Sequence, residues 1–164
     1  MTFSRGVEWA LHACSLLALT PPGKTLQAVK LAEFHEIPPA YLAKHLQALA
    51  RAGIVEPAYG RNGGYRLGKP ADAISLLAIV TAIEGEEPAF RCSEIRRNGP
   101  CGGLPDACYP GPCSFAAAMW EAERAWRDRL ASFSLAEVTT TMLRQIDPEE
   151  QRRGRAWLAA NARP

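Results

Sequence analysis

Residues 38–68 read PPAYLAKHLQALARAGIVEPAYGRNGGYRLG. Proline is tolerated in the first turn of a helix, because the N–H that it lacks would have no partner there. Leucines then recur at helical spacing until Gly53, a residue type that commonly follows a helix end. The pattern predicts a helix over 39–52 with one apolar face. The residues of that face are Leu42, Leu46 and Leu49.

Two short extended runs follow this helix, over 54–59 and 65–68. The segment between them, residues 60–64, is rich in Gly and Asn, which supply the positive φ angles of a tight turn. The two runs are therefore predicted to form a β-hairpin.

Two further helices are predicted before residue 38. The first spans 5–19 with Ser4 as its cap, and the second spans 25–35. Three helices followed by a hairpin is the pattern of a winged helix-turn-helix DNA-binding domain, in which 39–51 is the recognition helix. The predicted fold class is mainly α with a small β-hairpin wing.

The C-terminal half carries a long apolar stripe. Its members advance by three or four residues, so they lie on one face of a long helix that begins near residue 114. They are Phe115, Met119, Ala122, Trp126, Leu130 and Phe133. A small domain cannot easily bury so long a stripe, so we expect a homodimer in which the partner covers it. Packing against the chain's own winged domain is the alternative.

The remaining segments complete the predicted organisation. A helix capped by Ser75 ends at Gly85, and a loop rich in Pro and Gly follows. Ser134 and Glu137 form a capping box for a later helix, and the Arg-rich end after Glu149 is expected to be loosely ordered. The predicted parts are a winged helix-turn-helix domain (1–85), a cysteine-rich loop (86–113), dimerisation helices (114–146) and a C-terminal tail (147–164).

Charge is unevenly distributed along the chain. Residues 1–70 hold 8 Lys and Arg against 4 Asp and Glu, whereas residues 71–164 hold 11 against 13. A basic half suits a surface that neutralises DNA phosphates. The sequence has no phosphate-binding glycine loop and no nucleophile elbow, which argues against an enzyme. We recognise no targeting segment and no membrane span, so a cytoplasmic protein is expected.

The start of the recognition helix is expected to contact a double-stranded DNA operator. Residues in the first turns of such a helix reach base edges, so Pro39, Ala40 and Lys44 are predicted to enter the major groove. Tyr41 and His45 are predicted to reach phosphates, with a core aromatic as an equal alternative for Tyr41.

The hairpin tip supplies two more candidates. Arg61 and Asn62 are predicted to contact the minor groove or the DNA backbone. For Asn62, turn geometry alone is the stronger explanation, because Asn tolerates positive φ.

Four of the five cysteines fall within 22 consecutive residues of the loop. They are Cys92, Cys101, Cys108 and Cys113. Thiols stay reduced inside a cell, so this cluster indicates a metal site rather than a disulfide framework. Structural zinc prefers C-x2–4-C pairs, and Cys108-x4-Cys113 is the nearest to such a pair in this chain, so a zinc site is the leading alternative within metal binding. A regulatory disulfide between Cys101 and Cys108 is a further alternative.

The sequence resembles the winged-helix regulators typified by IscR and NsrR. The resemblance covers about residues 1–146 and rests on three motifs in order. They read Tyr41-Leu42-x-Lys44-x-Leu46-x-x-Leu49-x-x-Ala52-Gly53-Ile54-Val55, Gly60-x-x-Gly63-Gly64-Tyr65-x-Leu67 and Ile74-Ser75-Leu76-x-x-Ile79-Val80-x-Ala82-Ile83-Glu84-Gly85. Residues 7–12 and 90–96 are most similar to the RsrR-type redox-sensing branch.

This resemblance implies an iron–sulfur cluster at the interface of a dimer that is crossed through the long helix. It implies Cys92 and Cys113 as ligands, with Cys101 and Cys108 as additional metal-ligand candidates. The spacing between these cysteines is wider here than is usual in the family. Tyr59 also stands where the family often has an arginine before the wing turn, which would shift wing contacts to Arg61.

The resemblance also implies ligands from the first helix of the partner subunit. Glu8 and His12 are four residues apart, hence on one helix face, and we expect them to supply those ligands. A helix-surface Glu/His pair is the alternative. Two Cys with Glu and His suit a 2Fe–2S cluster, which we favour, whereas three Cys and one partner ligand suit a 4Fe–4S cluster. Trp9, beside these ligands, is expected to act as a switch.

The expected function is repression of transcription, with operator binding controlled by the redox state or integrity of the cluster. A 4Fe–4S nitric-oxide sensor and a zinc or thiol-switch regulator are alternatives of the same class. An iron–sulfur carrier without DNA binding is the alternative from a different class.

Overall fold

A computed structural model describes residues 2–60 and 63–164, apart from the side chain of Cys101. The described chain is mostly helical, with one antiparallel hairpin. The helices are α1 (Arg5–Ala18), α2 (Ala28–Phe34), α3 (Pro39–Arg51), α4 (Leu76–Glu84), α5 (Ser114–Ala131), α6 (Leu135–Gln145) and α7 (Pro148–Asn161). The strands are β1 (Val55–Ala58) and β2 (Gly64–Leu67). Short 3-10 turns lie at 71–73, 95–97, 99–101 and 106–108.

The winged helix-turn-helix prediction is confirmed. Helices α1, α2 and α3 precede the hairpin, in which Val55 pairs with Leu67 and Ala58 pairs with Gly64. The apolar face of α3 is fully buried, as the leucine spacing predicts. Leu42, Leu46 and Leu49 all have 0% exposure.

Helix α2 begins three residues later than predicted. Thr25 and Leu26 are extended instead of helical, because their backbone groups pair with those of residues remote in sequence. Leu26 bridges Tyr65 of β2, and Thr25 bridges Arg163 at the end of the chain. The hairpin is thereby extended by partners that are remote in sequence.

Ser4 occupies the predicted N-cap position of α1, but the predicted capping hydrogen bond is absent. The hydroxyl and the backbone N–H of Ser4 both donate to Glu84 Oε1, at 2.7 and 2.9 Å. The side chain therefore joins the start of α1 to the end of α4. The other predicted caps are present: Ser75 accepts from Ala78 N–H, and Ser134 with Glu137 forms the capping box.

The C-terminal end is also ordered, contrary to the expected loose tail. Asp147 caps α7 by accepting from Glu149 N–H, and Pro148 occupies the first turn. Leu158 and Ala162 are 5% and 8% exposed and belong to the main hydrophobic core. Apolar burial at these positions fixes a segment whose other side chains are mostly polar.

The chain divides into two compact units. One consists of residues 2–85 and 130–164, and the other of residues 86–129. The main hydrophobic core lies in the first unit and includes Cys14, whose thiol is fully buried. Burial raises the pKa of Cys14 to about 12, so this thiol stays protonated. No helix in the described part of the chain is long and apolar enough to cross a membrane.

Candidate functional site

The outward face of α3 is the candidate DNA-reading surface. Pro39, Ala40, Tyr41 and Lys44 are all exposed. Tyr41 is 63% exposed, so the alternative of a core aromatic is wrong. The buried leucines of the same helix hold this face outward. Its contacts with DNA stay a prediction.

The recognition helix is packed against α1 through aromatic rings. The ring centroid of Trp9 lies 6.3 Å from that of Tyr41 and 6.0 Å from that of His45, both in edge-on geometry. The His45 ring also lies against Gly6, where a Cβ atom would come within 2.4 Å of its Cε1 atom. Burial, followed by the neighbouring Lys44 charge, lowers the pKa of His45. The contacts with Trp9 and Gly6 show that the His45 ring faces α1.

The structure describes the wing apart from two of its candidate DNA-contact residues. Arg61 and Asn62 lie outside the described residues. Beside them, Tyr59 is 92% exposed and Gly60 has a φ of 104°, which favours glycine. Arg66 donates to Glu56 at 3.0 Å across the strands, so the hairpin carries an exposed cross-strand ion pair.

Glu8 and His12 lie on the exposed side of α1. Together with Phe3, Arg5 and Leu11 they line an open pocket of about 330 Å³. Both side chains are exposed in the single chain. Their one-turn separation allows both side chains to reach one ligand.

His35 lies next to this pair and was not found by sequence analysis. Its ring centroid is 5.5 Å from that of His12. Burial and the nearby His12 lower the pKa of His35, and its Nε2 atom is buried with no hydrogen-bond partner among the residues that the structure describes. No local motif marks His35, because the contact depends on how α2 packs against α1.

The second unit brings Cys92 and Cys113 to one charged pair, formed by Glu94 and Arg96. Glu94 N–H donates to Cys92 Sγ at 3.4 Å, and Arg96 Nε donates to Glu94 Oε2 at 2.7 Å. The guanidinium of Arg96 also donates to the carbonyl of Gly111, two residues before Cys113. The pair thus links the segment around one cysteine to the segment around the other.

The electrostatics of this pair favour ionised groups. The hydrogen bond from Arg96 lowers the pKa of Glu94, and the backbone N–H of Cys113 contributes in the same direction. The pKa of Cys113 is also lowered, first by the backbone N–H groups of Ala116 and Phe115 and then by the Arg96 charge. Cys113 stands immediately before α5, where free N–H groups stabilise an anion. Its thiolate is therefore favoured.

Glu94 and Arg96 are functional candidates that sequence analysis did not select as site residues. Their signal was present in the family-like run over 90–96, but the run alone does not show that the two side chains pair. The alternation of opposite charges at positions 94 and 96 would have indicated the pair.

The rest of the loop is held to α5. Glu123 is 9% exposed and accepts from Ala89 N–H at 3.0 Å and from Arg127 Nε at 2.9 Å. Arg97 lies over the Tyr109 ring, 4.6 Å from its centroid. Cys108 is exposed, and the side chain of Cys101 lies outside the described structure.

Within one chain, the described residues contain no group of three or more His, Cys, Asp or Glu side chains arranged to hold a metal ion. The exposed apolar side chains of α5 include Phe115, at 81% exposure, and Met119, at 48%.

Comparisons with known proteins identify transcriptional regulators rather than enzymes. Residues 3–141 match the family described as Rrf2, iron-dependent transcriptional regulator. A protein of Mycobacterium tuberculosis strain H37Rv, named as an HTH-type transcriptional regulator, is 32% identical over 84% of this chain and 81% of its own length. Another of that type, YffB of Lactococcus lactis, is 29% identical over 84% of this chain and 86% of its own length.

Solved structures share the fold. IscR of T. potens aligns with a TM-score of 0.65 at 19% identity, over 90% of this chain and 93% of that chain. The oxidized form of Staphylococcus aureus CymR aligns with a TM-score of 0.62 at 22% identity, over 85% of this chain and 96% of that chain.

Proposed function

Because the chain belongs to the Rrf2 family of DNA-binding transcriptional regulators, we propose that it is a homodimeric repressor whose operator binding is switched by an iron–sulfur cluster. The observation that carries this proposal is the Glu94–Arg96 pair between Cys92 and Cys113. It holds two thiols of a long loop in one neighbourhood before any metal arrives.

The donor set suits a cluster of the 2Fe–2S type. Cysteine ligates iron as the thiolate, and the lowered pKa of Cys113 supports that form. Arg96 is positioned to offset the negative charge that two thiolates add. The remaining ligands of the proposed set are an imidazole and a carboxylate, and His12 and Glu8 offer both from one exposed helix face. A mixed set of this kind raises the reduction potential above that of an all-cysteine cluster.

We propose that Glu8 and His12 are supplied across the dimer interface. Both are exposed in the single chain and line an open pocket, so a partner's loop can approach them. The exposed Phe115 and Met119 on α5 provide an apolar surface for the partner subunit. A 4Fe–4S cluster, with Cys101 or Cys108 as a third thiolate, is the alternative composition.

Trp9 is the proposed link between this site and DNA. When bound, the cluster would supply a change of one unit charge on electron transfer. Trp9 stands next to Glu8 and contacts Tyr41 and His45 of the recognition helix. A movement of the Trp9 ring therefore has to be accommodated by α3. Half-sites on DNA are spaced by about one helical turn, so a small shift of the two recognition helices changes paired docking.

The cofactor is tested by anaerobic purification from iron-replete cells, followed by visible absorption and by iron and sulfide assays. We expect two irons and two sulfides per cluster, as the proposed ligand set requires, and reversible bleaching with dithionite. Cys113→Ser should lose the colour, and Cys108→Ser, a thiol that we place outside the preferred ligand set, should keep it. A colourless wild-type protein with neither iron nor sulfide would contradict the proposal.

A thiol switch is the second candidate, favoured by the same lowered pKa of Cys113. A thiolate attacks disulfides and oxidants more readily than a thiol does. This candidate predicts a colourless protein whose DNA binding changes with peroxide and is restored by a dithiol. The absorption spectrum therefore separates the two candidates.

A further inference from the structure

Helix α7 lies outside the part of the chain that matches the family. The match ends at residue 141, and α7 begins at Pro148. The helix is nevertheless firmly docked, because Leu158 is 5% exposed and Gln151 Nε2 donates to the carbonyl of Leu143 at 2.7 Å. The family relationship alone gives this element no role.

The end of α7 runs beside α2, the first helix of the helix-turn-helix. At one end of α2, Trp157 meets the ring of Phe34 edge-on, with centroids 4.8 Å apart. Ahead of the other end, Thr25 and Arg163 exchange two backbone hydrogen bonds, with N···O distances of 2.8 and 2.9 Å. Residues 157 and 163 therefore contact the two opposite ends of the segment that contains α2.

This position is relevant to DNA. In helix-turn-helix complexes the first helix crosses the phosphate backbone while the second enters the major groove. A cation on the DNA-facing side of the first helix would therefore lie within reach of phosphates. Arg163 is exposed, and Lys24 immediately precedes its pairing partner Thr25. Two positive side chains thus stand at adjoining points of this bridge.

We propose that Arg163 is an additional DNA-phosphate contact, so that the C-terminal end of this chain forms part of its DNA-binding surface. The proposal rests on DNA binding by the helix-turn-helix, and it is independent of the cluster. The backbone bridge to Thr25 fixes the position of Arg163, which reduces the entropy lost when its side chain contacts a phosphate.

Other arginines of α7 differ from Arg163 in their surroundings. Arg152 and Arg153 both pair with Glu149, so much of their charge is compensated within the helix. Within the described residues, Arg163 forms no such ion pair. Arg155 is exposed but lies two positions from Trp157, about 200° around the helix. It therefore points away from the side that packs on α2 and provides a matched control.

The experiment compares wild-type protein, Arg163→Gln and Arg155→Gln by fluorescence anisotropy with an operator duplex and with an unrelated duplex. Affinity is measured as a function of salt. Each phosphate contact contributes about 0.9 to the slope of log K against log salt, so Arg163→Gln should reduce it by about 1.8 in a two-subunit complex. Affinity should fall on both duplexes, because phosphate contacts carry no sequence information. Arg155→Gln should keep the wild-type slope.

Two results would overturn the proposal. One is a wild-type slope for Arg163→Gln on both duplexes, and the other is an equal reduction for Arg155→Gln, which would show a general charge effect. Arg163→Lys preserves the positive charge and should keep the wild-type slope. A reduced slope for Arg163→Lys would indicate a structural role of Arg163 instead of a phosphate contact. If operator affinity did not depend on the cluster, only the proposed function would be contradicted. The contribution of Arg163 could still be measured from the salt dependence of binding to the unrelated duplex.

Discussion

The backbone of Gly6 on α1 lies directly against the imidazole of His45 on α3, so close that a Cβ atom at Gly6 would come within 2.4 Å of the His45 ring. The same ring is 6.0 Å from the ring of Trp9. The recognition helix is therefore seated on the helix that carries the proposed partner-subunit ligands. The position of α3 therefore depends on the residues of α1 that pack against it.

Gly6→Ala should displace the His45 ring and weaken operator binding, while the fold survives because the ring is the movable end of a side chain. In a His45→Ala background the contact is absent, and the same change should stabilise the protein by about 0.5–1 kcal/mol through helix propensity. Chemical denaturation of the four proteins of this cycle measures the coupling. Equal effects of Gly6→Ala in both backgrounds would show that the two residues are not coupled.

The metal-free, reduced protein should show an unusually reactive Cys113. Its lowered pKa means that the thiolate fraction at neutral pH is larger than for an ordinary thiol. The pH profile of iodoacetamide labelling, read by mass spectrometry, should therefore be shifted to lower pH. Arg96→Gln should shift the profile to higher pH, because it removes a positive charge that lowers the pKa of Cys113. Cys14, with a pKa of about 12, should resist labelling until the protein unfolds.

The capping box of α6 should make stability depend on pH. Hydrogen bonds from Ser134 lower the pKa of Glu137, so its stabilising contribution is present above the pKa of the unfolded state. It is lost as the pH falls through the folded-state pKa. Ser134→Ala should destabilise the protein by about 1 kcal/mol and flatten this dependence. Thermal melts between acidic and neutral pH test this, with Thr141→Ala as a control in the same helix.

The docked α7 predicts a stability cost for its core residue. Leu158→Ala should lower the free energy of unfolding by about 2–5 kcal/mol, the range for a buried leucine truncated to alanine. Ala160→Ser, at an exposed position of the same helix, should change it by less than about 0.5 kcal/mol. If Leu158→Ala left the free energy of unfolding in urea unchanged, the C-terminal segment would be loosely ordered, as the sequence predicts.

Local patterns were sufficient for most of the fold. The leucine spacing of α3 and the Ser134–Glu137 capping box depend on residues three or four apart, and both are present in the structure. The choice of partner for Ser4 is different, because Glu84 is 80 positions away and competes with the helix for the hydroxyl. Sequence spacing contains no information about such a competition.

Contacts between residues remote in sequence also explain why α7 was not predicted and why α2 is shorter than predicted. Most side chains of α7 are polar, and only a few apolar residues such as Trp157 and Leu158 anchor it. Thr25 is extended instead of helical because its backbone pairs with that of Arg163, which is remote in sequence. In the candidate site, the cysteines were visible in the sequence, whereas the pairing of Glu94 with Arg96 required the fold of the loop.

Control of DNA binding by the cluster is tested most directly by measuring operator affinity in two oxidation states of one sample. An operator is obtained by selection from random-sequence duplexes, and its affinity is measured anaerobically by fluorescence anisotropy before and after reduction with dithionite. We expect the Kd to change by about tenfold or more, which corresponds to a coupling free energy of about 1.4 kcal/mol. Trp9→Ala should retain the cluster and lose this change. The same Kd in both oxidation states of a cluster-loaded wild-type protein would contradict the proposal that the cluster controls operator binding.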